Sequence, residues 1–157
     1  MRPATQDDIK WFKVAAKLSG QEVGEDFDKQ IEELFSPYGE VLILEDENQK
    51  FGQRFGPIGV VGALTNGYLY QPHVEWFPWA TNRNKLRASV MFFQKFRYRD
   101  LGIIRVHTIE PYVSFFKKLK KYVPLFYVAR IPGGDEMGRG DDFIFYMKCR
   151  GAHGRDS

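Results

Sequence analysis

The residues best suited to chemistry lie in one run, Val74-Glu75-Trp76-Phe77-Pro78-Trp79-Ala80-Thr81-Asn82-Arg83-Asn84-Lys85-Leu86-Arg87-Ala88. Residues 73–77 are strand-like, and Pro78 cannot donate to a sheet ladder, so it marks a bulge or the strand's end. Asn82 suits a helix N-cap, and Leu86, Ser89, Val90, Phe93 and Phe96 follow at helical spacing. On that phase Leu86 is the first core residue of the helix. A strand feeding a helix N-terminus can hold an anion, because unpaired backbone N–H groups and the helix dipole point there. Arg83, Lys85 and Arg87 add positive charge.

Other reactive side chains are scattered. His73 and His107 are possible proton acceptors, though such residues more often satisfy local hydrogen bonds. With His153 included, no metal-ligand spacing emerges, and no metal is expected. Cys149 reads most simply as a small apolar residue at a strand end. Lys117, Lys118, Lys120 and Lys121 could meet nucleic-acid phosphates, but such a run is commonly the solvated face of a helix.

The elements that must position these groups follow from the apolar pattern. Residues 1–3 allow a stub of strand. Thr5 and Asp8 resemble a capping box opening a helix that turns Ile9, Phe12 and Ala16 inward and stops at Ser19-Gly20. Gly24 opens a second helix with Phe27, Ile31, Leu34 and Phe35 inward, ended by Pro37 and Gly39. The run 41–44 reads as a strand buried on both faces, 45–55 as a polar hairpin loop, and 58–64 as a strand whose Gly59 and Gly62 allow close backbone approach. Asn66-Gly67 signals a hairpin, making 68–77 the antiparallel return strand. A long helix spans 83–99 and a strand 103–108. Glu110-Pro111 opens a helix with Tyr112, Phe116 and Leu119 on one side, and strands at 125–131 and 142–149 follow.

The 157 residues suit one domain, 1–150, with a polar tail at 151–157. The single cysteine excludes an internal disulfide and fits a reducing compartment, and no signal peptide or membrane-spanning run is expected. A net charge of +3 is too small to imply a nucleic-acid partner.

This order, a mixed α/β arrangement with a mostly antiparallel central sheet flanked by helices and a hairpin before the strand–helix junction, resembles the GNAT N-acetyltransferase superfamily. The opening Arg2-Pro3-Ala4-Thr5-Gln6-Asp7-Asp8 is also similar to that family's common start. The resemblance implies that Arg83-Asn84-Lys85-Leu86-Arg87-Ala88 stands where the family's Arg/Gln-x-x-Gly-x-Gly/Ala cradles the diphosphate of acetyl-CoA. Arg83 and Ala88 agree with it, whereas Leu86 replaces the central Gly that allows close approach of the phosphate. It implies Glu75 as the carboxylate that deprotonates the amine, and it places Phe116, which has no hydroxyl, where the family has a proton-donating tyrosine. Tyr112, one turn earlier, is the nearby substitute.

The run 74–86 is similar, more narrowly, to GNAT-like proteins encoded among the structural genes of short-tailed bacteriophages. The expectation is therefore a GNAT-like fold with a degenerate acetyl-CoA site (Arg83, Asn84, Lys85, Arg87, Ala88), no cofactor, and no enzymatic role. In that reading the chain is a virion-associated or head/tail assembly protein. It would contact other phage structural proteins through Trp76 and Trp79 in an oligomeric assembly, with no membrane or nucleic-acid partner, in the virion or the host cytoplasm. The alternative is an active N-acyltransferase that moves an acetyl group from acetyl-CoA to an amine, with Glu75 and Tyr112 as its catalytic groups.

Overall fold

A computed structural model describes residues 1–36, 39–45 and 57–151. The expected hairpin loop beyond Glu45, the helix stop at Pro37 and the tail beyond Gly151 lie outside the described residues. The chain forms two compact units, Met1–Thr65 with Pro72–Ala88, and Asn66–Gln71 with Ser89–Ser157.

The first unit holds a four-stranded sheet in the order β1 (Arg2–Pro3), β2 (Gly39–Leu44), β3 (Gly59–Leu64), β5 (His73–Trp76), antiparallel throughout. A 3-10 turn at Gln6–Asp8 leads into α1 (Ile9–Leu18), and α2 (Glu25–Leu34) follows. The capping box forms, with the Thr5 backbone N–H donating to Asp8 Oδ2 at 2.9 Å. Both helices are amphipathic, and Phe12, Ala15, Ala16, Phe27 and Ile31 meet Val41, Ile43, Val60 and Phe77 in one apolar cluster. Each large side chain buried there contributes roughly 1.5–3 kcal/mol. Gly59 is required by space. A Cβ on it would lie 2.9 Å from both the Glu75 carbonyl oxygen and Trp76 Cε3.

The second unit holds a sheet in the order β4 (Leu69–Tyr70), β6 (Ile103–Thr108), β8 (Asp142–Lys148), β7 (Phe126–Ile131), with β4–β6 the parallel pair. Helix α4 (Glu110–Leu119) buries Val113 and Leu119, and Phe116 stacks on Phe145 with centroids 5.2 Å apart. Asp135 braces the glycine-rich loop before β8, accepting from Arg139 Nε at 2.9 Å and from the Arg139 N–H at 3.0 Å.

Four sequence expectations need correction here. The return strand expected over 68–77 is two strands in two sheets: β4 joins β6, and β5 joins β3. A type I′ hairpin needs positive φ at both central residues. Gly67 has it (φ 84°) and Asn66 does not. Asn66 Oδ1 instead accepts from the Tyr68 and Leu69 N–H groups, and Pro72, with no N–H, follows the first half. The second correction concerns α3 (Asn82–Phe96), whose cap is Thr81 and not Asn82: Thr81 Oγ1 accepts from the Asn84 N–H at 3.1 Å. The third concerns the inward face of α3. The buried positions of α3 are Asn84, Ala88, Phe92, Phe93 and Phe96, so Leu86 and Val90 are only partly buried. Likewise Tyr112 lies outside the buried face of α4 and is 56% exposed.

Candidate active site

The first unit brings Glu75, at the end of β5, and the first turn of α3 onto one continuous piece of chain. Glu75 pairs in register with Val60 and is partly buried. Its strand is held by the ladder to β3 and by the Phe77 N–H, which donates to the Ile58 carbonyl at 3.0 Å. Trp79 stacks on Phe77 with centroids 4.8 Å apart, sits 6.5 Å from the Trp11 ring, and donates Nε1–H to the Pro57 carbonyl at 2.8 Å. Trp76 lies against Gly59. Both tryptophans, read from sequence as contact residues, thus pack within the unit and fix the path from β5 into α3.

At the helix start, Thr81 Oγ1 also donates to Asn84 Oδ1 at 2.5 Å, which draws the Asn84 side chain inward and buries it. Asn84 and Ala88, both read as cofactor contacts, fill the inward face. Arg83 is exposed, and Lys85, Leu86 and Arg87 are partly exposed. The first intrahelical bond runs from the Lys85 N–H to the Thr81 carbonyl, so the helical ladder leaves the N–H groups of Asn82 and Arg83 unused. The turn therefore offers two backbone donors, a helix dipole and three cationic side chains to an anion. These features fit a diphosphate. Leu86 is outside the apolar cluster and does not serve as the core anchor expected of it.

The second unit carries the remaining candidates. Tyr112 presents its phenol to solvent, and Phe116 is held against Phe145. His107 Nδ1 lies 2.7 Å from Asp142 Oδ2, and Asp142 is buried. This pair was missed in the sequence. Its two members stand 35 positions apart, and only the β6–β8 register joins them. Thr81 was missed too, although it precedes Asn84 at the spacing of a capping pair. Burial pushes the Cys149 thiol above its ordinary pKa, which keeps it protonated and unreactive. Among the described residues no group of three or more His, Cys, Asp or Glu is placed to hold a metal, and no helix is long and apolar enough to cross a membrane.

The architecture is a mixed α/β fold of the GNAT acyltransferase type. A GNAT superfamily phosphinothricin acetyltransferase from Sinorhizobium meliloti, solved in complex with AcCoA, matches with a TM-score of 0.69 at 12% identity, covering 99% of this chain and 91% of that one. A variant of the spermidine N-acetyltransferase of Vibrio cholerae matches with a TM-score of 0.63 at 16% identity over 94% and 93% of the two chains. The aminoglycoside 6'-N-acetyltransferase of Enterococcus faecium matches with a TM-score of 0.60 at 12% identity over 93% and 94%. No protein-family model and no curated protein sequence matches the chain. These likenesses correct the expectation of a non-enzymatic phage virion or assembly protein. Each compared structure whose activity is stated is an acetyltransferase, and none of those compared is a virion protein. The expectation of no cofactor loses its support in the same way, since one of these structures holds AcCoA.

Proposed function

We propose that this chain is an N-acyltransferase that moves an acetyl group from acetyl-CoA to an amine. The observation that carries the proposal is the first turn of α3. Its inward positions are filled by Asn84 and Ala88, which leaves Arg83, Lys85, Leu86 and Arg87 partly or fully exposed beside two unused backbone donors. The likeness to acetyltransferases supports the reading.

Acetyl-CoA, when bound, supplies an acetyl group activated as a thioester. The N–H groups of Asn82 and Arg83, with the Arg83, Lys85 and Arg87 side chains, would hold its diphosphate. Because Leu86 stands in place of the glycine, these cations carry more of the binding than backbone donors do, and affinity falls with salt. Glu75 takes the proton that the acceptor nitrogen loses as the N–C bond forms and the C–S bond breaks, directly or through one water. The sulfur leaves as the thiolate and takes its proton from solvent.

Calorimetry with acetyl-CoA, together with a thiol-release assay over a panel of amines, tests the proposal. Micromolar binding and amine-dependent thiol release are expected. No binding at about 1 mM acetyl-CoA with no thiol release would overturn it.

A further inference from the structure

The second unit contains a cavity of about 340 Å³ lined by Val113, Lys117, Lys120, Tyr127, Phe143 and Phe145. Its floor is apolar: Phe145, Phe143 and Val113 are buried, and the Tyr127 ring packs edge-on against Phe145 with centroids 5.5 Å apart. Val113, Lys117 and Lys120 stand four and then three positions apart, on one face of α4 and its last turn. The cations and anions around the cavity are not equivalent. Arg130 lies over the Phe143 ring, and its charge is met by Asp141, which also accepts the Gly133 N–H at 2.8 Å. Glu110, at the far end of α4, acts on Arg130 as well. Lys117 and Lys120 have no ion-pair partner among the described residues. The cavity thus combines an aromatic floor with two uncompensated ammonium groups at its rim.

We infer that this cavity binds a small organic anion, a carboxylate on a flat apolar body. Pockets of this kind set a few charged groups against an apolar wall, and the wall takes the body while the charges orient the head. The size selects a small ligand over a peptide. A volume of about 340 Å³ lies at the lower end of the range of small-molecule sites. A lysine pair supplies point charges without a planar fork, which suits one anionic head and not a bidentate clamp. Nothing in the acetyl-transfer proposal uses this cavity or its lysines.

The probe is 3-phenylpropionate, with the neutral 3-phenylpropionamide as its match in size and shape, titrated into the full chain and followed by amide NMR. Saturable shifts centred on Val113, Phe143 and Phe145 are expected, with a dissociation constant on the order of 1 mM or tighter. The amide and the Lys117→Glu/Lys120→Glu variant should each bind about tenfold more weakly. Both lysines are exposed, so the variant should keep the wild-type spectrum elsewhere. A Lys117→Gln/Lys120→Gln variant, which removes charge without reversing it, should fall between. Equal binding of acid and amide, binding unaffected by charge reversal, or no shift at these residues at about 10 mM probe would each overturn the inference.

Discussion

Arg2 grips Asp8 with two parallel hydrogen bonds, Nη1 to Oδ2 at 2.7 Å and Nη2 to Oδ1 at 2.9 Å. The same carboxylate accepts the Thr5 N–H and is buried, so the stub strand β1 and the opening of α1 share one anion. The Arg2 guanidinium, assisted by the Thr5 N–H, holds the Asp8 carboxyl down at about 2 from its ordinary 3.8.

A pH dependence follows from that depression. The unfolded chain takes up the Asp8 proton near pH 3.8, and the folded chain only near pH 2. The pair's stabilisation is therefore complete above pH 3.8 and is lost as pH falls through that window. Asp8→Asn should cost about 1–3 kcal/mol at pH 6, measured by urea unfolding. The gap between variant and wild type should close on acidification to pH 2. A gap that stays constant from pH 6 to pH 2 would show that the pair's charge contributes nothing.

Glu75→Gln keeps the shape of the side chain and removes its basicity. Turnover should drop at least about 100-fold, with the thermal midpoint and the acetyl-CoA affinity close to those of the wild type. Unchanged turnover would exclude Glu75 as the proton acceptor.

Leu86→Ala separates an anchor from a partly exposed residue. A fully buried leucine would cost roughly 2–5 kcal/mol on truncation. The observed position predicts about 1 kcal/mol or less. Arg83→Ala and Arg87→Ala should weaken acetyl-CoA binding and flatten its salt dependence, read by calorimetry at two ionic strengths. Affinity that is unchanged by both would place the cofactor elsewhere.

His107→Ala takes a hydrogen-bond partner from the buried Asp142 carboxylate. A loss of about 1–3 kcal/mol is expected by chemical denaturation, with Asp142→Asn/His107→Ala recovering part of it. No loss would mean that the pair is idle in the folded state.

Much of the fold was legible in the sequence, because the strongest local signals agreed with one another. The apolar run 41–44, the Thr5–Asp8 box, Gly24 before α2 and Glu110-Pro111 before α4 all sit where their patterns placed them. The failures came where two local rules competed. Asn66-Gly67 is a hairpin signal by composition, but the Asn66 side chain accepts from the Tyr68 and Leu69 N–H groups. On α3 the apolar spacing placed Phe93 and Phe96 correctly, but at the first turn the inward positions go to Asn84 and Ala88. Asn84 is held there by Thr81, a polar pairing that an apolar pattern does not register. The His107–Asp142 pair was out of reach for a different reason. It depends on strand register across two distant segments, and neither residue carries a local signal. The functional reading took Leu86 and Phe116 as marks of a worn site, and what corrects its non-enzymatic conclusion is the likeness to acetyltransferases and not any residue of the sequence.

Gly59 bears no functional group, yet the strand that carries Glu75 passes where its missing β-carbon would be. Any replacement, even alanine, must push against the backbone carbonyl of Glu75 itself. In a mutational scan scored by turnover, position 59 should rank alongside Glu75. Scored by cellular abundance, the two should part company, with substitutions at Glu75 well tolerated and those at position 59 less so. Part of the proposed proton acceptor's placement is thus inherited through another strand, as a constraint on volume.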